Sequence, residues 1–217
     1  AIINSTDGYT IFVFNGTYYE TIYINKSVNL IGEKRNLTEI DGEYNEIIIH
    51  LKKDNIQIKN FTIRNSNGNY RNSGIRIESD KNSIFNCSIY RTKTGIHLKN
   101  AFSNIIDNCT FYNNGDGILL ESSQNNIISG SLICHNSIGV CFENANNNQI
   151  SLNYMHSNGY ACLINGSSNI VINHCNISDN QANHGGIYIN DCKNIQIKNN
   201  IISHNGIGIH LYSSEKI

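Results

Sequence analysis

Glu121 and Glu143 lie 22 residues apart, with Arg71 and Arg76 upstream, and these four residues have the types and spacing to do chemistry. Two carboxylates held about 5 Å apart can divide the acid and nucleophile roles of glycoside cleavage, or share a calcium ion. Arginine forks suit the carboxylates of acidic sugars. The plainer reading is that Lys99, 22 residues before Glu121, neutralises a short acidic strip. A second set is Arg64, Tyr90 and Tyr112, with Tyr70 and Arg71 close by. Aromatic faces stack on pyranose rings, so this set fits carbohydrate binding, although tyrosine is also a common cover for a β surface. A third set is Cys134, His135 and His156, soft ligands that suit copper or zinc. Asp179, His204 and His184 follow in neighbouring positions, yet eight histidines on a small surface meet by accident as well.

Whether any of these residues converge depends on what carries them, and the chain is built on a repeat. Ile84, Ile106, Ile128, Ile150 and Ile172 are spaced by 22, with Ile58 and Ile197 as outlying members. Five residues after each stands another apolar residue: Ile63, Ile89, Phe111, Ile133, Met155, Ile177 and Ile202. Asparagine recurs at Asn114, Asn136, Asn158, Asn180 and Asn205, and again at Asn125, Asn147, Asn169 and Asn194. Glycine followed by an apolar residue recurs at Gly74-Ile75, Gly95-Ile96, Gly117-Ile118 and Gly139-Val140. Helical repeats need more than about 30 residues, whereas three short strands and three turns fill 22, so the chain reads as a parallel β-solenoid. Same-phase isoleucines then stack into one core, and asparagine at the bends tolerates left-handed backbone angles. Cys87, Cys109 and Cys175 fall in an inward column and read as buried free thiols, with a Cys87–Cys109 disulfide as the alternative.

Composition narrows the function classes. A net charge of -1 leaves no basic surface for nucleic acid. Only 15% of residues are charged, and 39 asparagines supply the polarity. No apolar run is long enough to span a membrane. Seven cysteines without a C-x-x-C pair give no disulfide framework or zinc signature. Asn-x-Ser/Thr sequons at Asn4, Asn15, Asn25, Asn36, Asn60, Asn86, Asn108, Asn165 and Asn176 are consistent with an exported glycoprotein.

The stretches GYTIFVFNGTYYETIYINKSVNLIGE (8–33), TEIDG (38–42) and NIIDNCTFYNNGDGILL (104–120) resemble the rungs of right-handed parallel β-helix proteins. The pattern is similar to that of NosD-like proteins, of carbohydrate-binding and sugar-hydrolase repeat domains, and of surface-layer and adhesin-like proteins of methanogenic archaea. That resemblance implies an all-β, single-stranded right-handed parallel β-helix of about seven to eight rungs. It implies one domain over 1–217, with irregular rungs in 1–57 and regular ones in 58–217, and loops at 65–74 and 179–186. The chain reads as part of a longer protein, since YSSEKI (212–217) stops inside a rung and AIINSTDG (1–8) resembles the last turn of a capping helix. Uncapped ends also offer open strands for self-association.

The leading expectation is a non-catalytic extracellular scaffold of the cell surface, with polysaccharide on the Tyr90/Tyr112 strip or other envelope proteins as partners and no cofactor. The main alternative is a lyase or glycosidase on acidic polysaccharide, centred on Glu121 and Glu143 or on Arg71 and Arg76. A copper- or zinc-handling protein is third. NHGG (183–186) lacks the paired aspartates of the sugar-hydrolase members. An enzyme requires charged residues converging beside a long loop; a scaffold requires a flat surface.

Overall fold

The computed structural model describes residues 1–69, 71–181 and 185–217. Three parallel sheets of nine strands each run the length of the molecule. The first extends from Thr10–Val13 to Gln196–Lys198, the second from Gly16–Tyr19 to Ile201–Ser203, and the third from Ile22–Ile24 to Ile209–Tyr212. Each coil contributes one strand to every sheet, so the chain makes about nine coils rather than seven to eight. The additional coils lie in 1–57, where Thr10 pairs with Asn29 and Asn29 with Gln57. Stacking requires only that strands match, so turns of unequal length hide these coils from a search for a fixed period.

Within the regular region the register follows the repeat: Ile84 pairs with Ile106, and Ile128 with Ile150. These isoleucines are buried, each contributing roughly 1.5–3 kcal/mol. Neighbouring coils approach closely at the glycine column, where a Cβ on Gly95 would lie 2.4 Å from the Gly117 carbonyl oxygen. A side chain there would push two coils apart.

Asparagines hold the corners by two devices. Asn113, Asn125, Asn147 and Asn169 have left-handed backbones, with φ between 55° and 57°. Others form buried ladders in which a side-chain oxygen accepts the backbone N–H of the previous coil. Asn114 N–H donates to Asn136 Oδ1 at 3.0 Å, Asn136 to Asn158 at 3.0 Å, and Asn158 to Asn180 at 2.9 Å. At a second corner Asn82, Asn104, Asn126 and Asn148 repeat the pattern. The sequence pattern therefore needs correcting at the first corner and stands at the second. Asn114 and its column mates are ladder members rather than left-handed bends, and beside the left-handed Asn125 column runs the Asn126 ladder.

All seven cysteines are free and buried, Cys87 and Cys109 included. Ile2–Asn4 forms a single 3-10 turn. At that end the core opens into an apolar hollow of about 490 Å³, lined by residues including Ile11, Val13, Ile22 and Phe61.

Candidate functional site

The outward face of the third sheet gathers most of the chemistry. Strand pairing sets Lys99 beside Glu121 and Glu121 beside Glu143, and places Arg76, His97, Leu119 and Cys141 in the adjoining column. Parity points both columns away from the core. Yet His97 is 0% exposed, Leu119 2% and Cys141 4%. The segment before the strand Ser73–Ile77 accounts for part of this, because it brings Arg71 back across the face. Arg71 Nη1 lies 2.9 Å from Glu121 Oε1 and Nη2 4.0 Å from Glu143 Oε2. One guanidinium thus bridges the two carboxylates that the sequence pairs as a calcium site.

The carboxyl groups on this face have been given different environments. Glu121 is fully engaged: besides Arg71, its second oxygen meets His97 Nε2 at 3.0 Å, and Lys99 stands 3.8 Å away. Burial, reinforced by the Arg76 charge, pushes His97 down to about 4 in spite of Glu121, so at neutral pH it is an uncharged donor. Burial would raise Glu78, but hydrogen bonds from Lys52 and Arg76 outweigh it and hold Glu78 at about 2. Arg76 Nε reaches Glu78 at 2.7 Å, and His50 adds a contact at 3.2 Å. Asp116 moves the other way. Burial raises it to about 6, the Glu143 charge adds to the rise, and Lys93 opposes it. Its side chain makes no hydrogen bond or ion pair among the described residues. Separated values of this kind mark acid and base roles where they share a site.

Arg71, Glu121 and Glu143 are therefore brought together. Arg76 sits beside His97 in the register and is bound to Glu78. Asp116 was missed, because in NNGDG it looks like a turn residue. The signal available was its place two residues before Ile118, in a column whose other members are Ile47, Ser73, Thr94, Ile138 and Tyr160.

The second sheet carries the tyrosine strip in the expected order, Arg64 beside Tyr90, then Tyr112, Cys134 and His156. The rings of Tyr90 and Tyr112 stack on each other, with centroids 4.7 Å apart and planes 14° apart. Arg91 lies 5.8 Å over Tyr90, and Arg64 is paired with Glu39 and Asp41, each at 3.2 Å. The facing ring surfaces are thus taken up within the strip, which leaves fewer for a sugar. Tyr70 and His184 lie outside the described residues. His135 and His156 meet edge-on at 5.8 Å, and among the described residues no group of three His, Cys, Asp or Glu side chains is arranged to hold a metal. Of the sequons, Asn60 and Asn86 are half-buried and hydrogen-bonded to each other at 2.8 Å, whereas Asn4, Asn15, Asn25, Asn36, Asn108, Asn165 and Asn176 are exposed.

No helix of the described residues is long and apolar enough to cross a membrane. No curated protein matches the sequence. Among solved structures, the enzymatically active domain of tailspike protein 2 from bacteriophage CBA120 is similar, with a TM-score of 0.74 and 16% identity over 96% of this chain. The match spans 36% of that domain, so this chain has about a third of its length. Pectate lyase Pel9A superposes with a TM-score of 0.69 at 14% identity, covering 98% of this chain and 72% of the lyase. DFA-IIIase from Arthrobacter chlorophenolicus A6 gives 0.67 at 9% identity, over 85% of this chain and 58% of the enzyme. These likenesses are ones of fold. The model of the right handed beta helix region matches residues 2–137, 46–182 and 94–217, and with three stacked parallel sheets beneath that match, the chain belongs to this family.

Proposed function

We propose that this chain cleaves glycosidic bonds of a polysaccharide outside the cell, on the outward face of its third sheet. The observation that carries the reading is Asp116, a half-buried carboxyl raised to about 6 and under the influence of Glu143, on a face where Arg71 clamps Glu121. Protonated Asp116 donates its proton to the glycosidic oxygen as the bond to the sugar carbon breaks and the electron pair leaves with that oxygen. Glu143, whose one ion pair among the described residues is the long contact to Arg71, supplies the second carboxylate. Water completes the products, and the stereochemistry of the product reports the separation of the two carboxylates. Glu121, held by three cations or donors, is a positioning residue. The sequence expectation of a charged convergence beside a long loop supports an enzyme over a flat scaffold. The fold it shares with a tailspike and a pectate lyase is in keeping with a polysaccharide substrate, as the exposed sequons are with export.

The test is to incubate the purified chain with a polysaccharide panel and measure both binding and new reducing or unsaturated ends. Asp116→Asn and Glu143→Gln are each expected to lower the release of reducing ends by roughly 10²–10⁴-fold with binding retained. Binding by the unaltered chain without any new ends would return the protein to the non-catalytic surface scaffold.

A further inference from the structure

The ion pairs of the third-sheet face bear on the class of polymer. Resting on the polysaccharide reading above, we infer that the polymer taken by this face is uncharged rather than a polyuronate. Recognition of a uronate by protein groups needs a cation able to turn to it. Five cations stand on or beside this face among the described residues, and four of them already face a carboxylate. Lys52 and Arg76 hold Glu78, Arg71 bridges Glu121 and Glu143, and Lys99 approaches Glu121. The fifth, Lys93, makes no ion pair among the described residues, and its charge bears on the half-buried Asp116. A sugar carboxylate would have to displace a carboxylate from one of the four pairs or approach Lys93 beside Asp116, and the charges of Glu121 and Glu143 repel it on this face.

Sugar hydroxyls meet neither obstacle. They donate to carboxylate oxygens and accept from guanidinium and ammonium groups without breaking the pairs. The same outward column also carries aromatic side chains at both ends. Tyr23, 56% exposed, packs edge-on against His50 at 5.6 Å, and Tyr188 packs edge-on against His210 at 5.2 Å. Aromatic rings at both ends and hydroxyl-binding ion pairs between them suit a neutral chain lying along the solenoid axis.

A matched pair of polymers isolates charge: highly methyl-esterified polygalacturonate and the same material after de-esterification, with a neutral galactan alongside. The esterified and neutral polymers are expected to bind at least about tenfold tighter than the free acid. Their affinity should change less than about twofold between roughly 0.05 and 0.5 M salt. Glu121→Gln, which releases Arg71 from its closest carboxylate, is expected to raise affinity for the de-esterified polymer severalfold and to make it salt-sensitive. Tighter binding of the free acid by the unaltered chain, weakened by salt, would overturn the inference and leave the polysaccharide reading standing. Failure of every polymer to bind would overturn both.

Discussion

Asp116 and Glu78 stand on the same sheet face and are driven in opposite directions, one to about 6 and the other to about 2. The difference lies in their partners: Glu78 has Lys52 and Arg76 in hydrogen-bond contact, whereas Asp116 has only the Lys93 charge against its burial. A general acid must carry its proton, so cleavage should decline as pH rises through about 6. Lys93→Gln removes the charge that lowers Asp116, and the declining limb of the pH–rate profile should then move to higher pH. An unmoved limb would take the acid role away from Asp116. Glu121 and Glu143 could be singled out from the sequence because charged residues at the repeat spacing stand out against a chain with 15% charge, and Arg71 because it stands in the first long loop. Asp116 offered only its column position as a signal, since its environment is made by burial and by Lys93 from the neighbouring coil.

Each corner is an element with a fixed pair of conformational demands, one left-handed residue and one ladder residue. Leu152 breaks the first. It is 66% exposed with φ 58°, in the column that elsewhere holds Asn60, Asn86 and Asn108. Leu152→Asn should raise thermal stability by about 1 kcal/mol, since a leucine meets a steric penalty in that region that asparagine largely avoids. Asn136 exemplifies the second demand, with its oxygen serving Asn114 N–H and its amide donating to the Phe111 and Cys134 carbonyls. Asn136→Ala strands buried groups and should cost about 2–4 kcal/mol in chemical denaturation. The asparagine columns were plain in the sequence, but which of two neighbouring asparagines turns the backbone and which enters the ladder is decided by the direction each side chain takes at the corner.

Over the whole molecule, contacts run from coil to coil, so stability accumulates from neighbours. Removal of 149–170, one full repeat, should leave a folded protein with one strand fewer in each of its three sheets, read by circular dichroism and cooperative melting. Removal of half a repeat should abolish folding by putting inward residues outside. The fold was legible from 58 onward because a constant period writes itself into the sequence; the first coils, with strand steps that vary, were legible only by resemblance, and their number was not. The sweep of Arg71 over the third sheet was also hidden, as a loop's path is set by what it lands on. The ladders have one more consequence, for chemical ageing. Asparagine before glycine is prone to deamidate when the glycine nitrogen swings onto the side-chain carbonyl carbon. In Asn114-Gly115, Asn158-Gly159 and Asn205-Gly206 that nitrogen is tied to the previous coil, at 3.1, 2.9 and 3.0 Å from Thr92, Asn136 and Asn180 carbonyls. Asn67-Gly68 sits in the loop, and a side chain added at Gly68 would meet only open space. Peptide mass spectrometry after mild alkaline incubation should find deamidation concentrated at Asn67, and equal conversion along the ladders would refute this. A chain of 39 asparagines keeps its chemical identity by fastening most of its vulnerable ones into the wall they build.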